Sequence, residues 1–204
     1  SVIVDEENKT VDVVKKIARS NFNKDQAYRV WASSHGGVYV TPTEKTPPSP
    51  WMAHIKDRDL LTTTGKKLTL MNPAYMLREM MNDYSDLYGI KGRISGIKYL
   101  NPNNEASKSE ANIIRRFDKG EKEVSEIQGE GKTEEFFLAR PMIMQQACQK
   151  CHGHLGFKNG SVRGSVSISV PMLPYRDIEF TLIKSITVTH FLVWFIGFVA
   201  LVFI

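Results

Sequence analysis

The clearest strand of the chain is Val162-Arg163-Gly164-Ser165-Val166-Ser167-Ile168-Ser169-Val170, which alternates apolar residues or Gly with Arg and Ser. A period of two places each set of side chains on its own face, so the pattern predicts a half-buried strand. Pro171 ends it, because proline cannot donate to the ladder of hydrogen bonds. Upstream, Glu123–Gln128 and Thr133–Met142 flank a Gly-Glu-Gly turn, which is typical of a β-hairpin.

Helical patterns precede these strands. Residues 8–34 carry apolar side chains at helical spacing among Asp, Lys and Arg, which predicts one or two amphipathic helices. A further helix begins at Asn72-Pro73, with Asn as cap and Pro in the first turn. The segment Leu87–Leu100 predicts a strand, and another helix follows as far as Phe117. This mixture indicates an α+β fold, with one antiparallel sheet flanked by helices.

The C-terminal end predicts a transmembrane helix. From Ile186 to Ile204 the only residues that are neither apolar nor Gly are Thr187, Thr189 and His190. Nineteen residues at helical rise span about 30 Å, the thickness of the hydrocarbon core. A buried core helix is the alternative, but such helices seldom run this long without a charge. From about Leu173 one helix can run continuously into the membrane, and we expect the natural protein to continue beyond Ile204.

Composition narrows the class of protein. Hydrophobic residues make up 42% and charged residues 24% of the 204 residues, so the chain can bury a core. The net charge of +5 comes from short basic clusters without interleaved aromatic residues, and we expect no nucleic-acid binding. The chain begins at Ser1, so we expect either a removed leader or anchor, or a numbering that starts inside a longer protein.

The chain has only two cysteines, and they lie three residues apart in Cys148-Gln149-Lys150-Cys151-His152. This pattern is that of covalent c-type haem attachment, in which two thiols add across the vinyl groups and the following His ligates the iron. The expected roles are thioethers for Cys148 and Cys151 and an axial ligand for His152, with one haem c in all.

The two cysteines have three alternative uses. A zinc site could add His154, but adjacent residues ligate one tetrahedral ion poorly and no distant ligand pair exists. A thioredoxin-like pair would need a long helix after it, and Gly153, Gly156 and Gly160 break any such helix. A pair of inert thiols is the third alternative.

The second axial ligand is less well defined by the sequence. His35, His54, a Met, water or no ligand are all compatible with the pattern. His35 follows an amphipathic helix and precedes Gly36-Gly37, where the backbone can approach a flat macrocycle closely. Met71 could supply a thioether, although core packing is its more ordinary role. Tyr75 is a candidate for lining the porphyrin.

Several further motifs carry a resemblance to a known family. These are Trp31–Val40, Leu68–Met76, Tyr88–Gly92, and Cys148–Gly153 followed by Arg163–Ser167. Together they resemble the PAS-like extracytoplasmic c-type haem sensor domains, over roughly residues 10–175. That resemblance implies a PAS-like fold with one haem held by Cys148, Cys151 and His152, and gives grounds to suspect His35 as distal ligand. Such domains commonly precede a transmembrane helix and a histidine kinase, diguanylate cyclase or chemoreceptor module, and some stand alone.

These observations lead to one expected organisation. Residues 1–34 form an N-terminal helical segment, residues 35–175 the haem domain, and residues 176–204 a linker and membrane helix. We expect a sensor of redox state or of a diatomic gas, anchored in the inner membrane with its haem domain in the periplasm, as a homodimer or a subunit of a membrane complex. The alternative is a membrane-anchored electron-transfer cytochrome with a redox partner. No catalytic activity is expected of the chain itself, although a kinase or cyclase module could follow it.

Overall fold

A computed structural model describes residues 2–203, and of residues 2–5 and 150 the backbone alone. The helices are α1 (Val2–Ser34), α2 (Pro73–Asp83), α3 (Ser85–Tyr88), α4 (Lys108–Asp118), α5 (Gln149–His152) and α6 (Leu173–Val202). The strands are β1 (Val38–Val40), β2 (Asp59–Leu61), β3 (Lys67–Met71), β4 (Lys91–Ser95), β5 (Val124–Gln128), β6 (Glu135–Ile143) and β7 (Val162–Pro171).

The strand expected over 162–170 is β7, which lies inside a four-stranded antiparallel sheet of order β4-β7-β6-β5. Its apolar side chains face the main core as predicted. The expectation that the strand would be half-buried is wrong, because Ser165 and Ser167 on the other face are 2% and 8% exposed. The helix α4 covers that face, and the Ser165 hydroxyl lies 2.9 Å from the Ser95 hydroxyl of β4, which satisfies both groups.

The main core lies between the sheet, α1 and α2. The long helix α1 contributes Val14, Ala18 and Phe22, which are spaced four residues apart and therefore share one face. They pack in one cluster with Val166, Ile168 and other residues of the sheet. The segment expected as one or two helices over 8–34 is thus a single helix that starts earlier.

The helix α4 begins with a capping box. The Ser107 hydroxyl accepts a hydrogen bond from the Glu110 amide, and the Glu110 carboxylate accepts one from the Ser107 amide. Ile113 and Phe117 of this helix pack against Val124 and Ala139 of the hairpin. The hairpin β5–β6 is confirmed, and together these contacts give the sheet its second covered face.

Two details of the topology differ from the sequence prediction. The described residues form two sheets rather than one, because β1, β3 and β2 make a separate three-stranded antiparallel sheet. The strand expected over 87–100 is shorter, since α3 occupies Ser85–Tyr88 and β4 only Lys91–Ser95. Gly89 separates the two with φ of +65°, a left-handed conformation that ends the helix.

The last helix, α6, follows β7 almost directly and runs for 30 residues. By length and composition it is apolar enough to cross a membrane, and the apolar window is not buried against the rest of the protein. It packs against α1, and Tyr175 in its first turn joins the core cluster that contains Val14, so the helix that could enter the membrane is in contact with the N-terminal helix. The α+β fold class with an apolar C-terminal helix is therefore confirmed.

Candidate functional site

The two cysteines lie in a short helical segment that we call the attachment turn, residues 146–155. A 3-10 turn over Gln146–Cys148 leads into α5, and a second 3-10 turn over Gly153–Leu155 ends at Gly156 with φ of +79°. Cys148 and Cys151 are three residues apart on this helical backbone, so their thiols project from the same side. Neither is in a disulfide, and both are partly exposed.

A polar clasp holds the attachment turn against the loop that follows it. Gln149 donates a hydrogen bond to the Asn159 side-chain oxygen over 2.9 Å, and Asn159 donates to the Gln146 side-chain oxygen over 2.6 Å. Nothing in the sequence marks these residues as partners, because amides ten or more positions apart carry no local signal. The clasp ties the backbone on both sides of Cys148 to the loop that carries Asn159.

Cys151 also contacts the small sheet. It packs against the cluster formed by Met52, Ile55 and Leu70, with Tyr39 beside it. This cluster joins the attachment turn to β1, β3 and the loop that carries His54. His54 and His154 meet edge to face at 5.0 Å between ring centroids, so two further histidines lie beside the turn.

His152 is held as a neutral imidazole. Its Nε2 atom lies 2.8 Å from Nη1 of Arg163. A guanidinium can only donate, so Nε2 must carry the lone pair. Burial, together with the positive charges of Arg163, His154, Arg29 and His54, lowers the pKa of His152 to about 3. An unprotonated Nε2 is the form that ligates a metal ion, so the donor set of Cys148, Cys151 and His152 fits a c-type haem.

His152 opens onto a cleft, which we call the His152 cleft. Tyr75 of α2 lines it, as do Met142 of β6 and Arg163 of β7. Aromatic side chains also line it, namely those of Trp51, Tyr99 and Phe157. Asn72 caps α2 by accepting from the Tyr75 amide, and the Tyr75 hydroxyl donates to the Pro47 carbonyl over 2.9 Å. The predicted cap at Asn72 thus positions Tyr75 in the cleft. The flat aromatic side chains of the cleft suit a planar macrocycle.

His35 lies elsewhere, directly after α1. Its Nδ1 is 2.8 Å from the Trp31 carbonyl, and its ring lies over the Trp31 indole at 4.8 Å between centroids. Nδ1–H must be the donor to a carbonyl, so Nε2 is the atom left with a lone pair. The ring is exposed and does not line the His152 cleft. The structure does not bring His35 together with His152.

Met71 is a buried side chain on β3, 6% exposed and paired in register with Val38. It does not line the His152 cleft either. Among residues 2–203, no three of His, Cys, Asp and Glu come together as a potential metal cluster.

The class that the fold and the site define is an α+β domain with a Cys-Xaa-Xaa-Cys-His turn beside its sheet. The chain belongs to the Tll0287-like family, which matches residues 7–171, and this confirms the resemblance to the PAS-like haem sensor domains. A solved structure, that of the cyanobacterial haem protein Tll0287, has a similar fold. It is 17% identical with a TM-score of 0.50, and the likeness covers 78% of this chain and 95% of that one. No protein of curated function matches the chain.

Proposed function

We propose that the chain is a membrane-anchored domain that holds one haem c and senses redox state or a diatomic gas. The observation that carries this is the unprotonated Nε2 of His152, a residue that follows Cys151 directly and lines an aromatic cleft. Cys148 and Cys151 would hold the macrocycle through thioethers, and His152 would take one axial position. A bound haem supplies a one-electron couple and a second axial position open to ligands.

His35 is the proposed second ligand, and its tautomer supports that role. The hydrogen bond from Nδ1 to the Trp31 carbonyl leaves Nε2 free, as in most histidines that ligate metals. The positions of His35 and the His152 cleft require the end of α1 to approach the cleft when haem is bound. His54 is the alternative, because it lies beside the attachment turn through its contact with His154.

Optical spectra test both the presence of a c-type haem and the identity of its second axial ligand. Ferric and dithionite-reduced protein, with and without CO, should show a c-type haem, and the reduced spectrum reports its axial ligands. His35→Ala should change the spectrum towards that of a five-coordinate haem, whereas His54→Ala should leave it unchanged. The opposite pattern would assign the second ligand to His54. No change in either variant would exclude both histidines.

Tyr75 and Met71 have different proposed roles. Tyr75 lines the cleft and would lie against the porphyrin, so Tyr75→Leu should shift the haem absorption band. Met71 is buried in β3, and we expect Met71→Leu to leave the spectrum unchanged while His35 remains. A changed spectrum in Met71→Leu would favour thioether ligation instead.

The signalling role relies on the contacts of α1 and α6. A change of axial ligand at the end of α1 would alter its packing against the first turns of α6, which is the helix that could enter the membrane. Two copies packed side by side would then be biased between two arrangements. Spin-label distances between α1 and α6 should differ between ferric and ferrous protein. Equal distances would contradict a sensing role.

Electron transfer is the alternative function, as a membrane-anchored cytochrome within a respiratory complex. The partial exposure of both cysteines favours it, since the haem edge they hold would be accessible to a redox partner. A ferrous haem that does not bind CO, and that is reduced rapidly by membrane quinol oxidation, would support this role over sensing. A cytoplasmic module encoded after Ile204 would support sensing.

The proposed location follows from the chemistry of haem attachment. Haem c is attached on the outer side of the inner membrane, which would place the haem domain in the periplasm. Alkaline phosphatase fused after residue 204 should be inactive, and a fusion at Ser161 active. The reverse result would overturn this orientation.

A further inference from the structure

Three buried side-chain nitrogens in the described part of the chain have no hydrogen-bond partner. They are Nε2 of Gln26, Nε of Arg29 and Nε of Arg163. All three are donors, and all belong to residues that line the His152 cleft or a second pocket that reaches Cys148. An unsatisfied buried donor costs about 1–3 kcal/mol, and more when it is charged. Their clustering indicates an acceptor group that the protein chain itself does not supply.

Arg29 projects from α1 into the second pocket, which we call the Arg29 pocket. Gln26, Ser33, Gln145 and Cys148 also line it, and none of these is an acid. One guanidinium nitrogen, Nη1, donates to the Gln26 side-chain oxygen over 2.6 Å. Burial and the neighbouring Arg163 cation lower the pKa of Arg29 to about 10, although the charge of Asp25 on the same helix acts against them.

Arg163 is likewise held by neutral groups. It donates to His152 Nε2 over 2.8 Å and approaches the Met142 sulfur at 3.7 Å. Burial lowers its pKa as well. This differs from most arginines of the protein, of which six form ion pairs with carboxylates: Arg19, Arg58, Arg93, Arg116, Arg140 and Arg176.

Iron coordination would release one of these guanidiniums. Arg163 donates to the same Nε2 lone pair that would bind iron, so it must leave that atom when haem is attached. The attached state thus has two buried cations and needs an anion close to both.

We infer that Arg29 and Arg163 bind a propionate carboxylate of the haem, and that Arg29 thereby links the charge of the cofactor to α1. The inference rests on the proposed haem function and adds to it the chain's contact with the anionic edge of the macrocycle. A guanidinium fork matches a carboxylate with two parallel hydrogen bonds. The unpartnered Nε atoms of both arginines supply donors for such bonds.

The test is the midpoint potential of the full chain with covalent haem, measured in detergent for the wild type and matched variants. Arg29→Gln and Arg163→Gln remove one cation each, and a cation beside the haem favours the reduced form. Each of these two variants should therefore shift the ratio of reduced to oxidised haem about tenfold towards the oxidised form. For one electron this is a decrease of 59 mV in the midpoint potential. Arg29→Lys keeps the charge and should retain most of the potential.

The control is Arg115→Gln, which removes the same charge from an exposed position on α4 where Arg115 donates to Asn112. Its potential should equal that of the wild type. Resonance Raman spectra provide a second readout, since the propionate bending band should shift in Arg29→Gln and remain in place in Arg115→Gln. With three variants at two arginines, failure of one to fold still leaves a result.

The outcomes separate the two proposals. Wild-type protein without covalent haem would refute the proposed function and this inference with it. Covalent haem with unchanged potential and Raman band in both arginine variants would refute the inference alone. A wild-type potential that shifts with added formate at constant ionic strength, and saturates, would show that the arginines hold a free small anion, which would also overturn the propionate assignment.

Discussion

Arg176 joins the first turn of α6 to Glu134, the residue before β6, and its removal should destabilise the protein measurably. Its guanidinium donates to both oxygens of Glu134, over 2.8 and 3.1 Å, and to Glu179 over 3.0 Å. Glu179 is 6% exposed. Arg176→Met therefore removes three charge-assisted hydrogen bonds and leaves a buried carboxylate without its cation.

The magnitude follows from the burial of the partners. Removing one member of a buried ion pair costs about 3–5 kcal/mol, whereas an exposed pair contributes only about 0–1 kcal/mol. The Arg176 side chain is 30% exposed, so the lower end of the first range applies, about 3 kcal/mol. For a chain of this size each kcal/mol lowers Tm by about 2–4 °C, which predicts a decrease of about 6–12 °C.

The assay is thermal unfolding in detergent, followed by circular dichroism. Arg176→Met combined with Glu179→Leu should recover most of the loss, because the uncompensated buried charge is then absent. The control is Arg116→Met, which removes a pair with exposed partners, 50% and 36%, and should lower Tm by only a few degrees at most. A Tm for Arg176→Met equal to that of the control, or a double variant as unstable as the single one, would refute the reasoning.

Three further predictions concern stability. Gly164→Ala should lower the free energy of unfolding by about 1–3 kcal/mol, because its Cβ would meet the Ser95 carbonyl oxygen, and urea unfolding should show this as a lower midpoint with an unchanged m-value. Ser107→Ala should cost about 1 kcal/mol in the same assay through loss of the capping box at α4. Hydrogen bonds from Arg176 lower the pKa of Glu134, and those from Arg19 and Arg140 outweigh burial and lower that of Glu123. The stabilisation from these two carboxylates is therefore present above the unfolded pKa of about 4.3 and is lost as pH falls through their folded pKa values. Tm should decrease towards about pH 3, and replacing both Glu134 and Glu123 by Gln should flatten that decrease.

Local signals predicted a large part of this fold. Asn72-Pro73 marks the start of α2 because the cap and the proline act within one turn. The alternation over 162–170 marks β7 because pleating imposes the period of two. The strands β1 and β2 could not be predicted in this way, since three residues are too few to show a period. The strand predicted over Leu87–Leu100 was too long, because Gly89 ends a helical turn at its start and only Lys91–Ser95 is a strand.

The candidate site, too, was predictable only where its residues lie close together in the sequence. The attachment turn is local, so the spacing of Cys148 and Cys151 predicted its thiol pair. The walls of the cleft depend on tertiary structure. The alternating pattern of β7 predicted that Arg163 lies on the outer face of a half-buried strand. In the structure the Arg163 side chain contacts His152, because that end of β7 lies beside the attachment turn. Arg29 is one of several basic residues on α1, and only the packing of α1 near Cys148 distinguishes it.

The mass of the intact protein under denaturing conditions tests the central claim most directly. Protein made in cells with c-type maturation should carry the added mass of one haem after unfolding, and Cys148→Ala with Cys151→Ala should carry none. The single variants should retain at most one thioether, with haem that is attached less efficiently. Unmodified wild-type mass, or haem that is lost on unfolding, would contradict covalent attachment at Cys148 and Cys151.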